Sequence, residues 1–116
     1  MRRKAVIDSG PIVALFDKDD QWHTKTLSFV KEFEGQFYAT IAVLTEVPHL
    51  LDFNLSVQLD FFKWVSKGAI EIIDIGVSDF EALCQLTEKY SDLPMDLADA
   101  SLVLIADKLG IENVVS

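Results

Sequence analysis

Four short apolar segments, separated by longer helical intervals, constrain the fold of this chain more than any other feature. They lie at residues 4–8, 37–39, 70–73 and 113–115. Each interval carries two stretches with apolar residues at helical spacing. The resulting order β-α-α-β-α-α-β-α-α-β favours a parallel sheet with helices on both faces. We therefore predict an α/β fold whose strands are buried on both sides, as continuous apolar runs indicate.

Cap and stop residues predict the limits of six helices. Pro48 falls inside the third helix and should kink or divide it. Gly35, Gly68 and Gly110 follow helical segments and should end them. The predicted helices cover residues 11–16, 20–34, 41–53, 56–67, 78–90 and 96–109, with N-terminal caps at Asp20, Thr40, Ser56, Ser78 (with Glu81) and Asp96.

Length and composition predict a single domain, residues 1–116. Half of the residues are hydrophobic, which is enough for a packed core. No apolar stretch approaches the roughly 18 residues of a membrane span, and Asp8 cuts the N-terminal one too short for a signal peptide. A single cysteine, Cys84, cannot form an internal disulfide. We therefore expect no membrane association and a cytoplasmic location.

The charge balance restricts the possible partners. Ten basic and nineteen acidic residues give a net charge of −9. Such a charge repels nucleic acid globally, but a divalent cation reverses the local sign at a cluster of carboxylates. The balance is therefore compatible with a metal-dependent nuclease, and it also fits a protein that binds a basic partner.

Asp8 directly follows the first apolar strand and precedes Ser9, Gly10 and Pro11. Open α/β sheets bind ligands at this end of their strands, so Asp8 is a candidate site residue. Asp-Ser-Gly is also common turn chemistry, and Ser9 is either a hydroxyl supporting the site or part of that turn. For Asp8 and for Ser9, a role in the site and a role in the turn both stay open at this point.

Further acids interrupt helical stripes that should be apolar. Glu46 shares its stripe with Val43 and Val47, and Asp99 shares one with Leu102 and Ala106. Buried carboxylates are costly unless paired or bound to metal. The alternatives are that Glu46 reaches water at the rim of its stripe and that Asp96, one turn before Asp99, is only an N-terminal cap.

Together Asp8, Glu46 and Asp99 suggest one metal site, with Asp96 beside it. Oxygen ligands suit Mg²⁺ or Mn²⁺, and no Cys-His cluster suggests zinc. We interpret His23 as structural or solvated. An Asp8 nucleophile in a phosphatase or receiver-like domain is the first alternative, although Gly10 stands where a dehalogenase-type phosphatase needs a second Asp.

The motifs resemble those of the PIN domain, and most closely the VapC-type toxins of toxin–antitoxin pairs. The resemblance spans the chain and rests on the ordered set of residues 6–10, Thr45-Glu46, residues 96–100 and residues 113–116. It implies a three-layer α/β/α sandwich with a central parallel sheet. It also implies an Mg²⁺- or Mn²⁺-dependent endoribonuclease that hydrolyses RNA and has the metal and catalytic acids Asp8, Glu46 and Asp99, the auxiliary metal ligand Asp96 and the supporting hydroxyl Ser9.

The resemblance further implies a homodimer and an antitoxin protein as partner. Members of the family usually continue after the last strand with Thr or Ser and then an Asp, and the given sequence reaches only Ser116. The expected fourth acid is therefore missing from it. The second alternative is a non-catalytic protein-interaction domain with a degenerate or truncated site, which would dock a partner through apolar helices such as the one carrying Phe61, Phe62 and Trp64.

Overall fold

Strands and helices alternate through residues 2–116, which the computed structural model describes; Met1, the first residue of the predicted domain, lies outside the described residues. Strands β1 to β4 cover Arg3–Ile7, Gly35–Ala39, Ile70–Ile72 and Asn113–Val115. Helices α1 to α6 cover Ser9–Phe16, His23–Glu32, Ile41–Leu50, Leu55–Ser66, Phe80–Lys89 and Leu97–Leu109, and a 3₁₀ turn, Val77–Asp79, precedes α5. Across this described part of the chain, every helix is too short or too polar to cross a bilayer.

The four strands form one parallel sheet in the order β3-β2-β1-β4. The predicted α/β fold with a central parallel sheet is thereby confirmed. Because the strands are parallel, they all end on the same side of the sheet, which we call the carboxyl edge. The inner strand β1 ends in Ala5, Val6 and Ile7, which are at most 1% exposed. Their apolar run reflects burial between flanking strands and between layers of helices.

The main core lies between the sheet and the helices. Helix α3 packs against α1 and α6, while α6 also contacts β1 and α5. Ile7, Ile12, Val43, Val47 and Ile105 are completely buried there. A second, smaller cluster joins α5 to α6 through Leu83, Ala100 and Leu104. The first turns of α1, α3 and α6 are therefore held by the same core.

Several predicted helix ends are confirmed. Thr40 caps α3 by accepting the N–H of Val43 at 3.3 Å. Asp96 caps α6, and Gly110 ends it in the left-handed conformation with φ of 66°. Pro48 does not divide α3, because hydrogen bonding resumes with the N–H of Leu51 donating to the Val47 carbonyl at 3.0 Å.

Other predicted ends are wrong. Asn54 rather than Ser56 caps α4, because its side chain accepts the N–H of Val57 at 3.3 Å and places Ser56 inside the first turn. The predicted capping box of Ser78 and Glu81 does not form; Asp79 instead accepts the N–H of Gly76 at 3.0 Å within the 3₁₀ turn.

Helix α2 differs from its prediction at both ends. It begins at His23 after a turn in which Asp20 accepts the N–H of Trp22 at 2.8 Å. It ends at Glu32, and Gly35 opens strand β2 instead of terminating the helix. A side chain at Gly35 would collide with the carbonyl group of Arg3 on the neighbouring strand. Close strand packing therefore requires glycine there.

Candidate active site

Asp8 lies at the carboxyl edge, between the ends of β1 and β4. Its backbone N–H donates to the Val115 carbonyl at 2.9 Å. Its side chain caps α1, with Oδ1 accepting the N–H of Ser9 at 2.7 Å. The carboxylate is half-buried. Asp8 thus has the turn role considered from the sequence, and it is also fixed at the edge where ligands of α/β sheets bind.

Asp96 and Asp99 hold each other at the start of α6. The N–H of Asp99 donates to Oδ1 of Asp96 at 2.8 Å, and the N–H of Asp96 donates to Oδ2 of Asp99 at 3.3 Å. This reciprocal pair is the capping box considered from the sequence. Negative charge is favourable at a helix N-terminus. The fold therefore tolerates two adjacent acids at this position.

Electrostatics connects Asp8 with this pair. Burial is the largest effect and raises the pKa of Asp99, while the backbone N–H of Asp96 lowers it in part. The negative charges of Asp96 and Asp8 raise the pKa of Asp99 further. Asp8 therefore lies within electrostatic reach of Asp99, although β1 and α6 are far apart in sequence. This influence shows that Asp8 is near Asp99, and the assignment of these acids to one site stays a prediction.

The oxygen inventory of these acids suits a hard cation. Asp8, Asp96 and Asp99 each use one carboxylate oxygen to accept a backbone N–H, and the carboxyl groups of Asp96 and Asp99 also interact with each other. Carboxylate oxygens are the ligands preferred by Mg²⁺ and Mn²⁺. Within residues 2–116, no three acidic, His or Cys side chains are close enough to form a ready-made metal cage. The donor chemistry fits, while the side chains stand apart.

Glu46 lies on α3 and is half-buried beside the fully buried Val43 and Val47. Its helix packs against α1 and α6, which carry the other acids at their starts. The charges that raise the pKa of Asp99 are those of Asp96 and Asp8, and Glu46 is not among them. The assignment of Glu46 to the site stays a prediction.

A buried pair of hydroxyl groups beside the site escaped the sequence analysis. Thr40 and Ser101 are each 1% exposed, and their oxygens are 2.7 Å apart. Ser101 donates its proton to the Ala98 carbonyl at 2.8 Å, so Thr40 must donate to Ser101. Thr40 also accepts the N–H of Val43. This Thr40–Ser101 pair joins the start of α3 to α6, and the polar Ser101 between apolar helix residues was the signal for it.

Ser9 and His23 have clear local surroundings. Ser9 is the first residue of α1 and is half-buried beside Asp8, to which its backbone N–H donates. Its role as a supporting hydroxyl stays a prediction. Nδ1 of His23 lies 2.8 Å from the Ala14 carbonyl. Since a carbonyl can only accept, Nδ1 carries the proton, and His23 links α2 to α1 as the structural interpretation expects.

Comparison with known proteins gives a consistent family signal. No protein-family model matches the chain. Ribonuclease VapC26 of Mycobacterium tuberculosis is 22% identical over 113 residues, which are 96% of this chain and 84% of that protein. The crystal structure of M. tuberculosis VapC20, a sarcin–ricin loop cleaving toxin, superposes with a TM-score of 0.84 at 15% identity, covering 95% of this chain and 86% of that one. The structural match concerns the fold.

Proposed function

We propose that this chain, whose fold and sequence resemble those of VapC-type PIN-domain proteins, is a metal-dependent endoribonuclease acting as the toxin of a toxin–antitoxin pair. A relative named as a ribonuclease and a structural neighbour that cleaves the sarcin–ricin loop support this activity. The observation that carries the proposal is that Asp8 and the capping-box pair Asp96 and Asp99 lie at helix starts, near enough for the charge of Asp8 to raise the pKa of Asp99.

Asp8, Asp99, Asp96 and Glu46 would hold Mg²⁺ or Mn²⁺. A divalent cation there would lower the pKa of a water molecule and offset negative charge on the phosphate. The protein contributes orientation. The first N–H of α1 fixes one oxygen of Asp8, and the capping box fixes one oxygen each of Asp96 and Asp99. The remaining oxygens are therefore presented in a limited range of directions.

Partner binding is the second part of the proposal. The net charge of −9 favours a basic antitoxin. Large apolar side chains also remain exposed from the end of α3 through α4 and could contact an antitoxin or a second copy of the chain: Leu50, Phe53, Leu55, Leu59 and Phe62. The same surface favours the second candidate function, a non-catalytic interaction domain. Metal binding and RNA cleavage distinguish the two.

The test combines Mn²⁺ calorimetry with cleavage of single-stranded RNA, with and without a chelator. Wild type should bind Mn²⁺ and cleave only with metal, and Asp8→Asn should lose both. Glu46→Gln should weaken both if Glu46 belongs to the site. Asp60→Asn, an exposed acid on α4, is the matched control and should behave like wild type. Wild type that neither binds metal nor cleaves RNA would favour the interaction domain.

A further inference from the structure

A cleft of about 550 Å³ opens beside the carboxyl edge, between α1 and the start of α2. The residues that line it come from α1, from α2 with the turn before it, and from the end of β4: Gly10, Pro11, Ala14, Asp20, Trp22, Lys25, Thr26, Phe29, Val115 and Ser116. Ligand pockets commonly measure roughly 300–1,000 Å³. Gly10 is two residues after Asp8, and the Val115 carbonyl accepts the N–H of Asp8. This Trp22 cleft therefore lies next to Asp8, although none of the site acids lines it.

We propose that the Trp22 cleft binds one unpaired RNA base by stacking, next to the phosphodiester bond that is cleaved. This inference rests on the proposed ribonuclease function and adds a substrate-positioning element to it. It identifies the substrate as single-stranded at that position, because a paired base cannot leave its helix to enter a protein cleft without the cost of unstacking.

The two aromatic side chains of the cleft are open to solvent. Trp22 is 54% exposed and Phe29 is 41% exposed. Trp22, Lys25, Thr26 and Phe29 follow one another at helical spacing, so they share one face of α2 and its N-terminal cap. Exposed aromatic rings on a groove wall are the usual platform for bases of single-stranded nucleic acid.

The charges around Trp22 also suit RNA. The Lys25 ammonium lies 5.7 Å from the centroid of the Trp22 ring and can face a phosphate next to a stacked base. Asp20 is the acid of the lining, and its Oδ1 accepts the N–H of Trp22 at 2.8 Å. Asp20 thus holds the backbone at Trp22.

The fold indicates which base of the RNA would reach Trp22 relative to the cleaved phosphate. The acids Asp8, Asp96 and Asp99 occupy the carboxyl edge, and the Trp22 cleft adjoins it on the Asp8 side. A strand of RNA whose phosphate lies at the acids would therefore bring a neighbouring base to Trp22. The base is held on the α1–α2 side of the site, away from the start of α3.

The experiment measures affinity and cleavage with short single-stranded RNA. Binding is followed by fluorescence anisotropy in an Asp8→Asn background, where cleavage is suppressed, and rates are measured in the wild-type background. Trp22→Ala should weaken binding and lower kcat/KM by about 5- to 150-fold, the range of one stacked base. Trp22→Phe should recover most of the loss. The control is Phe53→Ala, an exposed aromatic beyond the far end of α3 that is 61% exposed.

A series of RNAs that each lack one base at a different position distinguishes base stacking on Trp22 from a structural role of Trp22. One abasic position should weaken binding to the parent protein and have no added effect on Trp22→Ala. Circular dichroism and thermal unfolding should show that Trp22→Ala is folded, as expected for an exposed side chain. Lys25→Ala should reduce the dependence of RNA affinity on salt, because one phosphate contact is lost.

The outcomes distinguish failure of the stacking proposal from failure of the ribonuclease proposal. If wild type cleaves RNA and Trp22→Ala binds and cleaves equally well, the stacking proposal is wrong while the ribonuclease proposal stands. It is equally wrong if Trp22→Ala leaves RNA binding intact but weakens self-association in sedimentation velocity, because the cleft is then a protein contact. If wild type neither binds nor cleaves RNA with Mn²⁺, both proposals fail.

Discussion

Asp8 and Thr40 occupy equivalent positions in neighbouring parts of the fold and differ in almost every physical property. Each follows a parallel strand, β1 or β2, and each caps the next helix. Asp8 is charged and half-buried, and one of its oxygens is used by the Ser9 N–H. Thr40 is neutral and 1% exposed, and its hydroxyl both donates to Ser101 and accepts from Val43.

Burial explains the division of roles between these two caps. A fully buried cap must be neutral and completely hydrogen-bonded, because an unpaired charge there would cost several kcal/mol or more. Thr40 meets that condition and joins α3 to α6. A half-buried cap can keep a charge and an available oxygen, as Asp8 does. The same position in the fold therefore supports packing at β2 and candidate chemistry at β1.

The largest expected effect concerns Asp8. Asp8→Asn should lower metal-dependent cleavage by about 100-fold or more, since a proposed ligand of the cation is lost. The free energy of unfolding should change by less than about 0.5 kcal/mol, because Asn caps helices as well as Asp. Initial cleavage rates test the loss of activity, and thermal unfolding tests the unchanged stability. Undiminished cleavage by a pure Asp8→Asn sample would remove Asp8 from the site.

Thr40 should show the opposite pattern. Thr40→Val keeps the shape but removes the cap and the partner of Ser101, so the free energy of unfolding should fall by about 2–4 kcal/mol. Urea denaturation measures this loss. Thr45→Val, at an exposed threonine of the same helix, is the control and should cost far less. A loss at Thr40 no larger than at Thr45 would contradict the proposed importance of its burial.

Ser101→Ala should have a smaller effect than Thr40→Val. It leaves the Thr40 hydroxyl without its acceptor but preserves the cap on Val43, so about 1–2 kcal/mol should be lost. The double variant should cost clearly less than the sum of the single ones, because both remove the same hydrogen bond. Strict additivity in urea denaturation would show that the Thr40–Ser101 pair does not act as a unit.

The smallest expected effect is the pH dependence at Asp99. Burial, together with the charges of Asp96 and Asp8, raises the pKa of Asp99 above its ordinary value of 3.8. The folded state therefore holds this proton more tightly, and stability falls as the pH rises from 3.8 through the raised pKa. Asp99→Asn should raise the melting temperature modestly at pH 7 and leave it unchanged well below pH 3.8. A thermal series over pH that shows no such crossover would argue against close approach of these acids.

Local chemistry predicts much of this fold. The apolar runs identify all four strands, and side-chain oxygens followed by helical stripes identify the caps Thr40 and Asp96. At two of the wrongly predicted starts, contacts between distant parts of the chain accompany the local capping bonds. Gln58 donates to the Pro48 carbonyl at 2.6 Å and ties α4 to the end of α3, where Asn54 rather than Ser56 becomes the cap. Asp79 is paired with Lys108 of α6 at 2.9 Å, a contact that no local pattern reveals.

In the candidate site, too, the fold topology accounts for some positions and side-chain packing decides others. Asp8 and Asp99 approach each other because strand order and helix packing bring the ends of β1 and the start of α6 together, as the parallel sheet predicts. The position of Glu46 depends on how α3 rotates against α1 and α6. Periodicity shows which face of a helix is apolar, but the rim of that face depends on side-chain packing across helices. The cleavage rate of Glu46→Gln therefore tests whether Glu46 belongs to the site, which the sequence pattern cannot decide.

The place of β1 in the sheet affects how the chain matures during translation. Strand β1 leaves the ribosome before its neighbours β2 and β4, and the Asp8 N–H can bond to the Val115 carbonyl only after β4 has been made. Translation adds about 5–20 residues per second, so Asp8 exists for several seconds before the strand that anchors it. A nascent chain thus carries Asp8 without its backbone anchor until β4 has emerged.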